Sequence, residues 1–208
     1  MKSIKTIGLF LSIIFISSCS FSPIKTAPLS TYTITHWPKK TVVSQKTISA
    51  RSILVTTPVA SPGYNSSRMI YVMIPYQLKS FGDHRWVAPP AELLLPLMAN
   101  RLRATGYFHA VVTSPFSGGA NYQLNMQLLT LQQEFLQPTS KVRLTIEATL
   151  LNMTTGHVIA SRVFESVVSA PENNPYSGVL ATNIAAHNVL NQIARFVVKN
   201  VRKSSLRR

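Results

Sequence analysis

Residues 122–128 read Tyr-Gln-Leu-Asn-Met-Gln-Leu, and residues 142–150 read Val-Arg-Leu-Thr-Ile-Glu-Ala-Thr-Leu. Apolar and polar side chains alternate in both stretches, and successive side chains of a β-strand point to opposite faces of a sheet. We therefore predict two strands that each bury one face. A Thr-Thr-Gly turn at residues 154–156 leads to a third strand, from about His157 to Val168, which completes an antiparallel meander.

Shorter strand signals precede this meander. Ile53-Leu54-Val55 is a short apolar run, closed by Pro58 and by a Ser-Pro-Gly turn at residues 61–63. Residues 68–74 and 76–81, with Pro75 between them, have the pattern of a hairpin.

Two segments have the periodicity of helices. Pro89-Pro90 opens the first, with Leu94, Leu97, Met98 and Leu102 at helical spacing, Pro96 as a kink or first turn, and Gly106 as a stop. The second runs from about Ser177 to Val201. Its predicted apolar side contains Leu180, Ile184, Leu190, Ile193, Ala194, Val197 and Val201. We expect an α+β fold, in which two main helices pack on one face of a mostly antiparallel sheet.

The start of the chain has the order of a bacterial signal peptide. Lys2 and Lys5 precede a short apolar run, residues 7–16, which two serines separate from Cys19. The run is too short for a membrane-spanning helix, which needs about 20 residues. We predict a signal peptide at residues 1–18, a lipidated N-terminus and tether at 19–47, one domain at 48–203 and a basic tail at 204–208.

Cys19, the only cysteine, follows Ile-Ser-Ser, which resembles the lipobox in which the cysteine sulfur receives a lipid. The alternative is an ordinary secreted protein. Mature position two is Ser20 and not aspartate, and by resemblance to Gram-negative lipoproteins this favours the outer membrane, with the domain facing the periplasm.

The chain carries 21 lysines and arginines against 6 acidic residues, for a net charge of +15. Such a charge favours anionic partners, but export argues against nucleic acid. Part of it lies in the C-terminal segment, which has no acidic residue after Glu172 and carries Arg195, Lys199, Arg202, Lys203, Arg207 and Arg208. Some of these cations complement the helix dipole. We hypothesise that this end contacts anionic lipid or an acidic partner; the alternative is a solvated tail.

No catalytic or metal-binding constellation is visible. Six acidic residues and five histidines are scattered, and no nucleophile elbow, phosphate loop or dinucleotide fingerprint is present. Asp83-His84 as part of a triad is disfavoured, because adjacent strand residues point to opposite faces. We expect no enzyme activity, no metal and no cofactor.

Arg85-Trp86, just before the first helix, has two interpretations. Trp86 packs in the core under the strand-to-helix turn, or Arg85 and Trp86 form an exposed partner anchor, since these residue types are enriched at interface hot spots. We favour the core for Trp86 and keep both residues as partner-binding candidates.

The chain resembles the ABC-type transport auxiliary lipoprotein family. The resemblance rests on the order of Cys19, Tyr32, residues 68–71, Arg85-Trp86 before Pro89-Pro90, residues 122–124, a strand ending at Gly156, and a terminal helix. It implies a non-enzymatic partner of an MCE-domain protein and an ABC transporter complex in lipid transport, and we expect a homo-oligomer. The basic C-terminal end departs from the family's pattern.

A second hypothesis is a lipid- or lipopolysaccharide-binding assembly lipoprotein of the outer membrane, whose cations would meet lipid phosphates. A third, an envelope hydrolase, lacks the clustered acid, base or nucleophile that it would need. An MCE-domain gene and an ABC permease gene beside this one would favour the transport hypothesis.

Replacing Cys19 with alanine should abolish lipidation, because no other residue can form the thioether. Labelled fatty acid should enter the wild-type protein and not the Cys19→Ala variant. A variant that still fractionates as an integral membrane protein, together with an unlabelled wild type, would contradict the lipoprotein interpretation.

Overall fold

The computed structural model describes residues 28–35 and 50–205. The predicted signal peptide, Cys19, part of the predicted tether, and Arg207 and Arg208 lie outside these ranges. Among the described residues, no helix is both long and apolar enough to cross a membrane.

The described chain forms nine strands and two helices. In chain order these are β1 (Ser30–Tyr32), β2 (Ser52–Val55), β3 (Val59–Ala60), β4 (Arg68–Val72), β5 (Lys79–Trp86), α1 (Pro90–Arg103), β6 (Ala110–Thr113), β7 (Tyr122–Glu134), β8 (Lys141–Asn152), β9 (Val158–Ser169) and α2 (Pro175–Ser205). The predicted α+β class is confirmed.

The long antiparallel meander β7–β8–β9 forms the centre of the sheet, as the alternating sequence predicted. Leu124 pairs with Leu150, and Ile146 pairs with Phe164. The alternating apolar side chains of β7 and β8 are buried on one face. A bulge between Leu128 and Thr130 shifts the register, so that Leu131 is buried after Leu128.

The other edge of β7 pairs with three short strands in series, which the sequence did not predict. β2, β3 and β4 each run parallel to β7, at its beginning, middle and end. β6 extends the sheet beyond β2, while β5 and then β1 extend it beyond β4. The predicted hairpin is confirmed as the antiparallel pair β4–β5, although β4 ends at Val72 and not at Ile74.

The two ends of the sheet can be distinguished by the direction of β7. We call the apical end the one where β7 ends at Glu134 and β8 begins at Lys141, and the basal end the one where β7 begins at Tyr122 and β8 ends at Asn152. The β4–β5 connection is apical, because Val72 pairs with Glu134 at the end of β7.

β1 corrects the predicted extent of the tether. Residues 30–32 pair with β5, and Ile34 is buried in the core, so residues 30–35 belong to the domain and not to the 19–47 tether. Three residues are too few for a clear alternating pattern, and the segment is fixed by backbone pairing and a single apolar side chain.

α1 tolerates a proline because of the face on which it lies. Leu94, Met98 and Leu102 are fully buried, whereas Pro96 is exposed, as is Glu92 four residues earlier. The helical hydrogen bond that Pro96 removes would therefore fall on the side where water can replace it. The helix ends as predicted near Gly106, which has a positive φ of 62°.

The predicted apolar side of α2 is wrong at two positions. Leu180 is 40% exposed and Ile184 is 52% exposed. In this half of the helix, small residues face the core instead: Gly178, Ala181, Thr182, Ala185 and Ala186. They let the helix approach the sheet closely, and hydropathy alone does not reveal a buried face made of small side chains.

Trp86 belongs to the core, with 4% of its surface exposed. It lies beside Met69, Leu131 and Thr182, between the sheet and α2. The core interpretation therefore holds, and the proposal of Trp86 as an exposed partner anchor is wrong for this fold. Arg85, the preceding residue, is exposed.

The Trp86→Ala variant should lose about 3–5 kcal/mol of unfolding free energy, because a buried aromatic side chain is replaced by a cavity. Chemical denaturation would measure the loss. The Arg85→Ala variant is the matched control and should unfold like the wild type. Equal midpoints for all three proteins would contradict the core assignment.

The face of the sheet opposite the helices carries an ion-pair network centred on Arg143. Its Nε and Nη2 donate to the two carboxylate oxygens of Glu134 at 2.8 and 3.2 Å, and its Nη1 lies 2.9 Å from Glu165. Burial raises the pKa of the Glu134 carboxyl, but hydrogen bonds from Arg143 and Gln132 and nearby positive charge outweigh burial and hold that pKa below its usual value.

This network should make stability depend on pH. A carboxyl with a lowered folded-state pKa stabilises the fold above its ordinary pKa of 4.5, and that stabilisation disappears as the pH falls through the lowered value. Arg143→Met should cost about 1–3 kcal/mol at neutral pH and flatten the acid limb of the stability curve. Arg68→Met, at an exposed arginine of β4, is the control and should leave the acid limb unchanged. An unchanged acid limb in Arg143→Met would contradict the stabilisation of the Glu134 carboxylate by Arg143.

Candidate functional site

A groove of about 610 Å³ lies between the C-terminal parts of α1 and α2. α1 supplies Arg101, and the residues after it supply Ala104 and Thr105. α2 supplies the other wall: Asn191, Ala194, Arg195, Val198, Lys199 and Arg202. The spacing along α2 follows the helical repeat, in which residues three and four apart share a face.

The groove is strongly positive. Its lining contains four cationic side chains, Arg101, Arg195, Lys199 and Arg202, and no carboxylate. Arg195, Lys199 and Arg202 are exposed, and Val198, which is half-buried, supplies apolar surface beside them. The two helix C-termini attract some positive charge, but such an effect is confined to the last turn, and Arg195 lies well before it.

Two contacts hold cations of this groove in place. The Nη2 atom of Arg101 lies 3.0 Å from Nδ1 of His187, which links the two helices. The guanidinium of Arg202 lies over the buried ring of Tyr107, 5.2 Å from its centroid. A guanidinium held in this way suits planar, bidentate recognition of a carboxylate or a phosphate.

The groove lies at the basal end of the domain. Tyr107 directly precedes the region of β6, which pairs with β2 at the start of β7. Arg103, the last residue of α1, donates to the backbone oxygen of Val111 in β6. The basic end of α2 is therefore basal, and the helix begins at the apical end, where Gln133 donates to the backbone oxygen of Asn174.

The predicted site residues do not form one cluster. Arg195, Lys199 and Arg202 line the groove, and Lys203 is exposed in the last turn of α2, which extends to Ser205. Arg85 lies in β5 opposite Arg68, away from the groove lining, and Trp86 is in the core. The sequence analysis did not identify Arg101, because no local sequence pattern indicates that α1 and α2 end side by side.

The side chains of Asp83 and His84 form a hydrogen bond, which the alternation of neighbouring strand residues did not predict. Oδ1 of Asp83 lies 2.7 Å from Nδ1 of His84, although the two residues are adjacent on β5. The hydrogen bond from His84 lowers the pKa of the exposed Asp83 carboxyl. In residues 28–35 and 50–205, no hydroxyl hydrogen bonds to this pair, and no three histidine, cysteine or acidic side chains gather as metal ligands.

Solved structures share the fold. Protein XCC0632 from Xanthomonas campestris is 18% identical, with a TM-score of 0.74, and the alignment covers 86% of this chain and 99% of that one. The protein CT253 from Chlamydia trachomatis is 7% identical, with a TM-score of 0.50 and coverage of 74% and 98%. Identities this low establish the fold alone. A search of curated proteins gave no significant match.

The family model described as the ABC-type transport auxiliary lipoprotein component matches residues 32–194. This range begins in β1 and ends in the second half of α2, so it includes the whole sheet apart from the start of β1. The predicted resemblance is confirmed, and the chain belongs to the ABC-type transport auxiliary lipoprotein family.

Proposed function

We propose that this lipoprotein is a non-enzymatic docking component of an MCE-type ABC lipid transport system. Lipid on Cys19 holds it on the periplasmic side of the outer membrane, and its basal groove binds an acidic surface of the transport complex. The observation that carries this proposal is the position of the groove, at the end of the domain opposite the one from which the N-terminal chain enters.

The entry of the chain follows from strand direction. β1 runs parallel to β5, with Ser30 beside His84 and Tyr32 beside Trp86. β5 begins at the apical hairpin connection and runs towards the basal end. The backbone that precedes Ser30 therefore enters from the apical side. With an anchor on Cys19, this direction favours an orientation in which the apical end is nearest the membrane.

The basal groove is then held far from the anchoring membrane. α2 runs from apical to basal, and Arg195 and Lys199 lie 20 and 24 residues after Pro175, or about 30 and 36 Å at 1.5 Å per residue. Exposed charges interact over about 8 Å at physiological ionic strength. Of the two partners hypothesised for the basic end, an acidic partner surface therefore fits better than the headgroups of the anchoring membrane.

A second candidate function is supported by the lining of the same groove. Ala104 and Val198, both half-buried, place apolar surface beside four cations, which suits a phosphorylated amphiphile as well as a protein carboxylate. A lipid- or lipopolysaccharide-binding assembly lipoprotein would use the groove in this way. Binding of a phosphorylated lipid by the isolated protein, without any transport partner, would favour this candidate.

Charge reversal in the groove tests the docking proposal. The Arg195→Glu/Lys199→Glu variant should retain about tenfold less of the MCE-domain protein and ABC transporter in co-purification, because two attractive contacts become repulsive. Raising the salt concentration should weaken the wild-type complex in the same direction.

The control is Arg68→Glu/Arg162→Glu, which makes the same charge change at exposed positions on β4 and β9. It should co-purify like the wild type. Undiminished co-purification of the groove variant would contradict docking through this surface. A groove variant that keeps its partners but no longer binds phosphorylated lipid would support the second candidate.

A further inference from the structure

The connection between β4 and β5 is unusually apolar for an exposed turn. Residues 73–78 read Met-Ile-Pro-Tyr-Gln-Leu, and we call them the apical tip. Met73 and Leu78 are exposed, Ile74 is 57% exposed and Tyr76 is fully exposed. Hairpin connections usually carry Gly, Asn, Asp or Ser, so four exposed apolar side chains in one turn call for an explanation.

The tip has a fixed shape. Tyr76 has a φ of 68°, in the left-handed region that side-chain-bearing residues rarely adopt, and the backbone N–H of Gln77 donates to the oxygen of Ile74 at 3.1 Å. At the base of the tip, the rings of Tyr71 and Phe81 lie 4.5 Å apart. The fold thus supports an outward-pointing aromatic side chain in a conformation that has an energetic cost.

A second loop adds to the same surface. The backbone N–H of Phe135 donates to the oxygen of Val72 at 2.8 Å, which places the start of the β7–β8 connection beside the tip. Leu136, the next residue, is also exposed. The apolar surface therefore extends over two neighbouring loops of the apical end.

The tip lies on the side from which the chain arrives. β1 is parallel to β5, and β5 begins one residue after the tip, so the backbone before Ser30 points towards the tip. Ser30 lies beside His84, which is about 17 Å along β5 from Lys79 at the tip. Residues 19–29 can span up to about 36 Å when extended, which is more than this distance. A lipid on Cys19 therefore leaves enough chain for the tip to reach the bilayer.

Charge at this end is compatible with a membrane surface. Lys79 is exposed directly after the tip, and neither residues 61–82 nor residues 135–140 contain an acidic residue. Two carboxylates of the apical end, Glu134 and Glu172, accept hydrogen bonds from Arg143 and Asn174. Apolar side chains with tyrosine and a flanking lysine are typical of loops that enter the interfacial layer of a bilayer.

We propose that the apical tip inserts into the interface of the membrane that carries the lipid anchor. It forms a second contact beside the acyl chains and thereby fixes the orientation of the domain. The inference rests on the proposed anchor at Cys19 for the choice of membrane. Tethering keeps the tip close to that bilayer, so even a weak intrinsic affinity is sufficient for insertion.

The test replaces the natural anchor, so that lipidation is not required. The mature chain with Cys19→Ser and an N-terminal hexahistidine is held on phosphatidylcholine vesicles that contain a nickel-chelating lipid. Because Cys19 is the only cysteine, Ile74→Cys provides a unique site for an environment-sensitive fluorophore. Val158→Cys on β9 is the matched control, since Val158 is 58% exposed and lies at the basal end.

The probe at position 74 should shift to shorter emission wavelengths on the vesicles and be quenched by spin-labelled lipid, while the probe at position 158 should show neither change. In the tagged chain at a low density of nickel-chelating lipid, where the tag alone binds weakly, Ile74→Ser/Tyr76→Ser should be retained on vesicles at least about fivefold less than Val158→Ser.

A probe at position 74 that reports water on the vesicles would overturn the proposal, as would equal vesicle binding by the two serine variants. A tip that binds a protein partner or a second copy of the chain would give this negative result. Neither assay contains transport proteins, so failure of the proposed docking function would leave the result for the tip intact.

Discussion

The antiparallel pairing of β7 with β8 is the interaction on which the rest of the structure depends. It aligns the buried side chains of two long strands on one face, and α2 packs on that face mainly over β8 and β9. The free edge of β7 then receives β2, β3 and β4, which places α1 at the basal end and the β4–β5 hairpin at the apical end. The positions of the basal groove and of the apical tip both follow from that pairing.

The two ends of the domain differ in chemistry. The apical end combines exposed apolar loops with the direction from which the N-terminal chain enters, whereas the basal end combines four cations with apolar groove surface. This polarity agrees with the two contacts that we propose for the chain, a membrane anchor and a docking partner. The proposed docking and the proposed insertion assign one end to each task.

Sequence patterns predicted the parts of the fold that have a strong local signal. The alternation in residues 122–128 and 142–150 identified the meander, and Pro89-Pro90 and Gly106 marked the limits of α1 closely. Patterns failed where partners are distant or side chains are small. Nothing local indicates that β2 lies parallel to β7, or that Gly178 and Ala185 face the core while Ile184 does not.

The candidate surfaces were harder to predict for the same reason. Arg202 was identified from charge, but Arg101 joins it only because two helices end side by side. Met73 and Ile74 continue an apolar run that predicts a strand up to Ile74. The sequence therefore did not indicate that β4 ends at Val72 and that these two side chains are exposed. The sequence does not distinguish an apolar residue of a strand from an apolar residue of an exposed turn. The distinction appears only in the structure, where the pairing of β4 with β7 ends at Val72.

The height of the basal end above the membrane tests the central claim most directly. A fluorophore at Lys199→Cys, in the chain held on vesicles by its N-terminus, can be compared with one at Ile74→Cys by energy transfer to a dye in the bilayer. An apical anchor predicts a basal probe roughly 36 Å above the surface, because Lys199 lies 24 residues along α2 from Pro175, and an apical probe at the surface. Equal transfer from both positions would contradict an apical anchor and a basal docking site.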